Sequence, residues 1–325
     1  MPVSKSTRAN KRRPANVPPS GPIPGLDALQ DQGAMRQLDT AAAIDALFAA
    51  GKRVPLDRLW EAQELTFDAY DTPSARRRVE VVKQALARHP WCGDAYGILA
   101  AEAPPDTAFA IHLWRLAGAA AEFAIKAELG EDAFETCEGE FWGLLETRPY
   151  MRARAGLSNA LWRRGEREAA VAIDLELLRL NPNDNQGARY VVADRLLVLG
   201  RDQDLERLFK AYRNDGSAFL TYSRALWCFR RESDSAESRK LLTKALASNR
   251  HVPDYLLGRK PLPKTELEYY EPGRDSEAVH YVETGMEAWR AIPGALDWLG
   301  ERVAGAKPGK RRARIRSTTA PEPQS

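Results

Sequence analysis

The side chains with the clearest chemical potential lie together in residues 148–182. Guanidinium groups bind carboxylates through paired hydrogen bonds, and the carboxamide of Asn159 can both donate to and accept from a peptide backbone. The ring of Trp162 would add apolar surface beside them, although filling a gap between packed helices is its alternative use. The set indicates capture of a peptide or protein segment, with acidic side chains favoured. The arginines concerned are Arg148, Arg152, Arg154, Arg163 and Arg164.

The predicted binding set extends into the next helical unit, where Tyr190 could bond a peptide backbone beside Arg189. A carboxylate clamp is not expected, because the neighbouring inner positions Ala155, Val191 and Ala225 are apolar. A solvated helix face is the alternative explanation for some of the arginines. The complete predicted set is Arg148, Arg152, Asn159, Trp162, Arg163, Arg189 and Tyr190.

The chain lacks the motifs that mark common catalytic and cofactor sites. It has no GxxxxGK[ST] loop, no GxSxG turn and no HExxH helix, and its cysteines lack CxxC spacing. The histidines stand apart from other potential metal ligands. We therefore expect no enzymatic activity, no metal and no cofactor. An enzyme whose site is assembled from dispersed residues, such as Glu146, His251 and Asp275, is an alternative that no motif supports.

The elements that must position the binding set are two helices joined by a tight turn. Apolar residues at helical spacing occupy residues 151–162, Gly165 ends this first helix, and residues 169–180 form a second helix that stops at Asn181-Pro182. This unit resembles a tetratricopeptide repeat. Gly165 and Gly200 are 35 positions apart, close to the repeat period of about 34 residues.

Proline and glycine residues end the other helical segments at similar intervals. This pattern predicts an all-α body throughout, with hairpins stacked into a curved solenoid. A stacked hairpin exposes a groove to a partner, which favours a protein-binding scaffold over an enzyme. We expect a last helical pair near residues 267–270 and 275–289, and a solvated helix along the acidic stretch 135–146. The other predicted helices cover residues 59–70, 75–89, 94–102, 106–129, 218–230, 235–249 and 293–303.

Charge and composition divide the chain into a helical domain, residues 26–303, between basic tails, 1–25 and 304–325, which are predicted to be disordered. Each tail contributes a formal charge of +5 to a total of +3, which leaves 3 − 10 = −7 for the body. A nucleic-acid-associated adaptor is therefore the alternative function, with weak, sequence-independent binding through the tails. Charged residues interrupt the longest apolar stretch, 108–125, so we expect no membrane span. The cysteines are an odd, scattered set that fits a reducing compartment, so we expect a cytoplasmic protein.

Four segments resemble the suppressor of tumorigenicity 7 protein family. The most specific are NRHVPDYLLGRKPLP, residues 249–263, and GRDSEAVHYVETGMEAWRAIPGALDWL, residues 273–299. The segments TRPYMRARAGLSNALWRRGEREA, residues 147–169, and ARHPWCGDAYGILAAE, residues 87–102, are also similar to that family. The resemblance implies a helical-repeat fold without established catalytic residues, and so agrees with the scaffold interpretation.

Overall fold

The computed structural model describes residues 39–305, apart from residues 266 and 268. Regular secondary structure in this part of the chain is entirely helical, so the predicted all-α class is confirmed for it. The predicted disordered tails lie outside the described residues, except for residues 304 and 305. The chain divides into two compact units, one ending at Ala188 and one starting at Arg189. The single domain predicted over residues 26–303 stays a prediction, and each unit is described by itself.

The first unit contains three helical hairpins, α2/α3, α4/α5 and α7/α8. The first helix of each hairpin packs against the first helix of the next, α2 on α4 and α4 on α7. The second helix of one hairpin also packs against the next hairpin, α3 on α4 and α5 on α7. The helices of this unit are α1 Thr40–Gly51, α2 Asp57–Tyr70, α3 Ala75–Arg88, α4 Gly93–Glu102, α5 Ala108–Leu129, α6 Ala133–Thr136, α7 Arg148–Arg164 and α8 Arg167–Leu180.

Local sequence accounts for several helix ends. The side chains of Ser74 and Thr107 accept hydrogen bonds from the first turns of α3 and α5, which satisfies backbone donors that lack helical partners. Gly165 ends α7 with φ of 89°, a left-handed conformation that glycine adopts without strain. At Gly156 a Cβ atom would lie 2.4 Å from the ring of Trp114. The absence of that atom lets α5 and α7 approach closely.

Helix α5 is the long central helix of the first unit. By length and composition it is the one described helix that is apolar enough to cross a membrane, and 67% of its most apolar window is buried inside the protein. It packs against α1, α4, α6 and α7. A core helix passes the same test of length and apolarity, so this finding gives weak evidence for a membrane span.

The second unit is built around a hairpin, α11/α12, whose first helix packs against α14. Helix α15 packs against α11, α13 and α14. Two local predictions are wrong, one in each unit. In the first unit, residues 137–147 form turns rather than a solvated acidic helix, and in the second unit, residues 267, 269 and 270 are not helical. The helices of this unit are α9 Ala188–Leu199, which begins at the boundary, α10 Asp202–Ala211, α11 Ala218–Glu232, α12 Ala236–Ser248, α13 Val252–Leu256, α14 Asp275–Ala291 and α15 Ala295–Gly305.

Glu277 holds the second unit together from the first turn of α14. Its buried carboxylate accepts hydrogen bonds from Ala218 N at 3.0 Å, Asn249 Nδ2 at 3.0 Å and Gly273 N at 2.7 Å. The three donors belong to the start of α11, the end of α12 and the loop before α14. The segments 249–263 and 273–299 therefore meet at a structural junction.

We expect Glu277→Gln to lower the free energy of unfolding of the second unit by about 2 kcal/mol or more, because the new amide group would face buried donors. The matched control is Glu283→Gln, on the same helix, with a side chain 36% exposed; its expected effect is below about 0.5 kcal/mol. Denaturant titration with hydrogen exchange measures both variants. Equal stability of the two would contradict the role of Glu277.

Candidate functional site

Three adjoining depressions form a groove in the first unit, lined by α2, α4 and α7 with part of α5. The apolar pocket, about 180 Å³, is lined by residues of α2, α5 and α7 and by Leu145 and Glu146. A middle depression of about 330 Å³ shares Gly93, Pro149 and Arg152 with it. An end depression of about 210 Å³ shares Ala101 and Trp114 with the middle one. The first helices of all three hairpins therefore contribute to one groove.

The apolar pocket exposes large hydrophobic side chains. Trp60 is 45% exposed, Phe67 51% and Leu145 56%, and all three line this pocket. Clustering of such groups on a surface marks an interaction site more often than single exposed residues do. On α2 the buried stripe is Leu59, Ala62, Thr66 and Ala69. Trp60 and Phe67 lie outside that stripe, so packing within the unit does not account for them.

An ion pair lies between the apolar pocket and the middle depression. Asp94, in the first turn of α4 and 2% exposed, accepts from Arg152 Nε at 2.9 Å and from Arg152 Nη2 at 2.5 Å. It also accepts from Gln63 Nε2 at 2.6 Å and from Tyr70 OH at 3.4 Å. Burial acts to lower the pKa of Arg152, but the hydrogen bonds and charge of Asp94 raise it overall. This cluster ties α2, α4 and α7 together.

Tyr70 contributes a neutral hydroxyl to the same cluster. Burial raises the pKa of Tyr70 above its ordinary value, and the negative charge of Asp94 raises it further. The phenol therefore stays protonated at physiological pH and donates to the carboxylate. Tyr70 as a whole residue remains 51% exposed and lines the middle depression, where it can contact a bound segment.

Two carboxylates, Glu128 of α5 and Glu146, line the apolar pocket. Burial raises the pKa of Glu128, and the nearby charge of Glu146 raises it further. Within the described part of the chain, neither carboxylate forms an ion pair with a cation. Arg148 lines the same pocket, but its Nε donates to the carbonyl oxygen of Trp142 at 3.0 Å and its guanidinium lies 5.5 Å from the Trp142 ring centroid. The pocket therefore combines apolar surface with negative charge.

The connection before α7 places Leu145 and Glu146 in this pocket. The backbone N–H groups of Gly139 and Phe141 donate to the carbonyl oxygen of Leu180, at 3.1 and 3.2 Å. Thr147 Oγ1 donates to the carbonyl oxygen of Leu144 at 3.0 Å. The first two bonds attach the start of this connection to the end of α8, and the third closes the turn that carries Leu145 and Glu146.

The predicted arginines are largely occupied by carboxylates of the protein itself. Arg152 binds Asp94 as described, Arg154 pairs with Glu176, and Arg163 pairs with Asp106. The net positive charge expected on this hairpin is therefore mostly compensated internally. Asp106 has φ of 65°, and its pair with Arg163 is exposed on both sides, 49% and 40%.

The predicted set is divided among several places. Asn159 and Arg163 line the end depression, whereas Trp162 is half-buried against the core of α7 and α8, with the guanidinium of Arg167 4.9 Å from its ring centroid. This environment agrees with the alternative interpretation of Trp162, in which its ring fills space between packed helices. Of the set, Arg148 and Arg152 reach the apolar pocket.

Arg189 and Tyr190 belong to the second unit. Arg189 Nε donates to Asp215 Oδ2 at 2.8 Å, and Tyr190 OH donates to the same oxygen at 3.2 Å. The Tyr190 ring stacks on Phe219 with centroids 4.4 Å apart, and burial raises its pKa to about 12. Tyr190 and Tyr270 line a separate depression of that unit.

Residues missed by the sequence analysis dominate the pocket. Trp60 and Phe67 are seven positions apart on α2, and this spacing puts them on one helix face. This second apolar face of α2, next to the buried stripe, is the sequence pattern that could have indicated the pocket. Asp94 and Glu128 gave no comparable signal, because their relation to Arg152 and Glu146 depends on the packing of separate hairpins.

The alternative enzyme site, made of Glu146, His251 and Asp275, is not assembled in either unit. In the second unit Asp275 accepts from Lys260 Nζ at 2.6 Å and Tyr255 OH at 2.7 Å, and His251 Nδ1 lies 3.7 Å from it. Glu146 belongs to the first unit. Burial acts to raise the pKa of Asp275, but its bond to Lys260 lowers it overall. Among the described residues, no group of three or more His, Cys, Asp and Glu is placed to hold a metal ion.

Comparisons with models of known protein families, with curated proteins and with solved structures find no match. The resemblance to the suppressor of tumorigenicity 7 family stays a prediction.

Proposed function

We propose that this chain is a non-enzymatic scaffold of the cytoplasm that captures a peptide or protein segment in the groove of its first unit. The exposed cluster of Trp60, Phe67 and Leu145, in a groove to which three successive hairpins contribute, carries the proposal. Large aromatic side chains contribute much of the binding energy in protein interfaces when a partner covers them.

The packing order supports a tetratricopeptide-like arrangement in this unit. First helices α2, α4 and α7 are neighbours, and α3 and α5 each pack against the first helix that follows. Hairpins stacked in this order present their first helices to a ligand. The resemblance to the suppressor of tumorigenicity 7 family agrees with such a repeat scaffold and adds no reaction.

The test is selection of binding peptides from a random display library against the full-length chain. We expect peptides that bind saturably, and we expect Trp60→Ser with Phe67→Ser to weaken that binding at least about tenfold, because truncation of buried aromatic anchors costs about 2 kcal/mol or more. Fluorescence anisotropy with the selected peptides measures this loss.

The matched control is Tyr269→Ser, which removes an aromatic ring that is 84% exposed in the second unit. Its peptide affinity should equal that of the unmodified chain. Melting curves of all three proteins establish that the double variant is folded. Selected peptides that bind the folded double variant with unchanged affinity would place the binding site elsewhere and overturn the groove assignment.

A further inference from the structure

The ionisable groups of the apolar pocket have an unequal balance of charge. Four such groups line it: Glu128, Glu146, Arg148 and Arg152. The charge of Arg152 is compensated by the buried carboxylate of Asp94. Two carboxylates and one guanidinium remain, which leaves a formal charge of −1 around an apolar surface. This balance is opposite in sign to the one expected from the arginines of this hairpin.

The two carboxylates also repel each other. The charge of Glu146 acts with burial to disfavour ionisation of Glu128, and neither carboxylate forms an ion pair within the described part of the chain that would relieve this repulsion. A ligand cation near both groups would relieve it and would gain from two attractions at once. Because apolar side chains surround the two carboxylates, the pocket favours a cation attached to an apolar group. Partly buried charges are screened less by salt than exposed ones, which strengthens this attraction.

We infer that the apolar pocket recognises a protein segment in which a large apolar side chain is next to a lysine or arginine. This inference rests on the proposed function and names the chemistry of its partner. The apolar side chain contacts Trp60, Phe67 and Leu145, and the ammonium or guanidinium group contacts Glu128 and Glu146. The aliphatic stem of the basic residue can cover apolar surface while its charged end reaches the carboxylates.

The chain's own basic tails match this chemistry less well. Residues 1–18 carry positive charge but contain no Leu, Ile, Phe, Tyr or Trp, and residues 306–325 contain Ile315 alone of these. A tail would supply the cation without the large apolar anchor that the exposed aromatic rings require. The favoured occupant is therefore a segment of a partner protein.

The test uses three synthetic peptides that share a Leu-Trp anchor. The residue next to this anchor is lysine in the first peptide, glutamine in the second and glutamate in the third. We expect the lysine peptide to bind the full-length chain at least about tenfold more tightly than the glutamine peptide, equivalent to about 1.4 kcal/mol, and the glutamate peptide to bind most weakly. Raising the salt concentration should reduce the preference for lysine.

The decisive variant is Glu128→Gln with Glu146→Gln, which should remove the preference for lysine while keeping the affinity for the glutamine peptide. It removes a repulsion, so it should be folded and no less stable than the parent chain. The charge-matched control, Glu131→Gln with Glu135→Gln, neutralises two carboxylates outside the pocket and should retain the preference.

Other outcomes distinguish this inference from the proposed function. Equal binding of the three peptides, lost in the Trp60 and Phe67 double variant, would overturn the inference and leave the scaffold function standing. Strongest binding of the glutamate peptide would replace the basic partner by an acidic one. Tighter binding of peptides 1–18 or 306–325 would make a tail the occupant. No saturable binding of these peptides or of library peptides would overturn both proposals.

Discussion

Replacing Arg152 with alanine is expected to lower the free energy of unfolding by about 3 kcal/mol. The change would leave Asp94, which is 2% exposed, without its paired hydrogen bonds and counter-charge. Gln63 and Tyr70 would remain as neutral donors, and the 34% exposure of Arg152 moderates the loss. Denaturant titration followed by hydrogen exchange of α4 and α7 measures the effect.

Arg163→Ala is the matched control on the same helix. Its pair with Asp106 is exposed on both sides, and such pairs contribute about 0–1 kcal/mol. The double variant Asp94→Asn with Arg152→Met should be more stable than Arg152→Ala, because it leaves no buried charge. A loss at Arg152 no larger than the loss at Arg163 would show that the buried pair is unimportant for the fold.

The Asp94 pair also changes how the groove can be tested. Charge reversal by Arg152→Glu would place a second carboxylate beside a buried one, so loss of partner binding in that variant would report misfolding. Changes at Trp60, Phe67, Glu128 and Glu146 test binding more directly, because no ion pair or buried hydrogen bond among the described residues of the first unit depends on their side chains.

The second unit is expected to lose stability between about pH 4 and pH 7 through Asp194. Burial raises the pKa of Asp194 from 3.8 to about 7, against the opposing effects of Ser223, Thr284 and Arg195. Between these values the folded protein keeps a proton that the unfolded chain releases, so stability falls as pH rises through this window. The shift of about 3 units corresponds to a total loss of about 4 kcal/mol at higher pH.

Asp194→Asn should flatten this dependence and stabilise the second unit at pH 8, because an amide resembles the protonated carboxyl group and carries no charge. Ser223 Oγ, 2.9 Å from Asp194 Oδ1, can donate to the amide oxygen. The control is Asp297→Asn in the first turn of α15, which should keep the slope. Denaturant titrations at pH 5 and pH 8, read by hydrogen exchange of α9, distinguish them. An equal slope in both variants would exclude Asp194 as its origin.

Helices could be predicted because their signals are local. Apolar spacing and capping residues act within a few turns, and Gly165 lies at the end of α7 with the backbone conformation that its sequence position suggested. Residues 137–147, 267, 269 and 270 do not follow the helical prediction, because their conformation depends on partners distant in sequence. Gly139 and Phe141, for instance, donate to Leu180, which no local pattern indicates.

By itself the sequence determined an all-α body, the positions of most helices and the richness of one hairpin in arginine. Only the tertiary structure decided which charges remain available to a ligand. Asp94 and Arg152 are 58 residues apart, and they meet because α4 packs against α7. The same packing leaves Glu128 and Glu146 at one apolar pocket, where neither forms an ion pair with a described residue. The sequence gives only the total number of charged side chains, whereas the charge available at a surface depends on which of those side chains the fold pairs with one another.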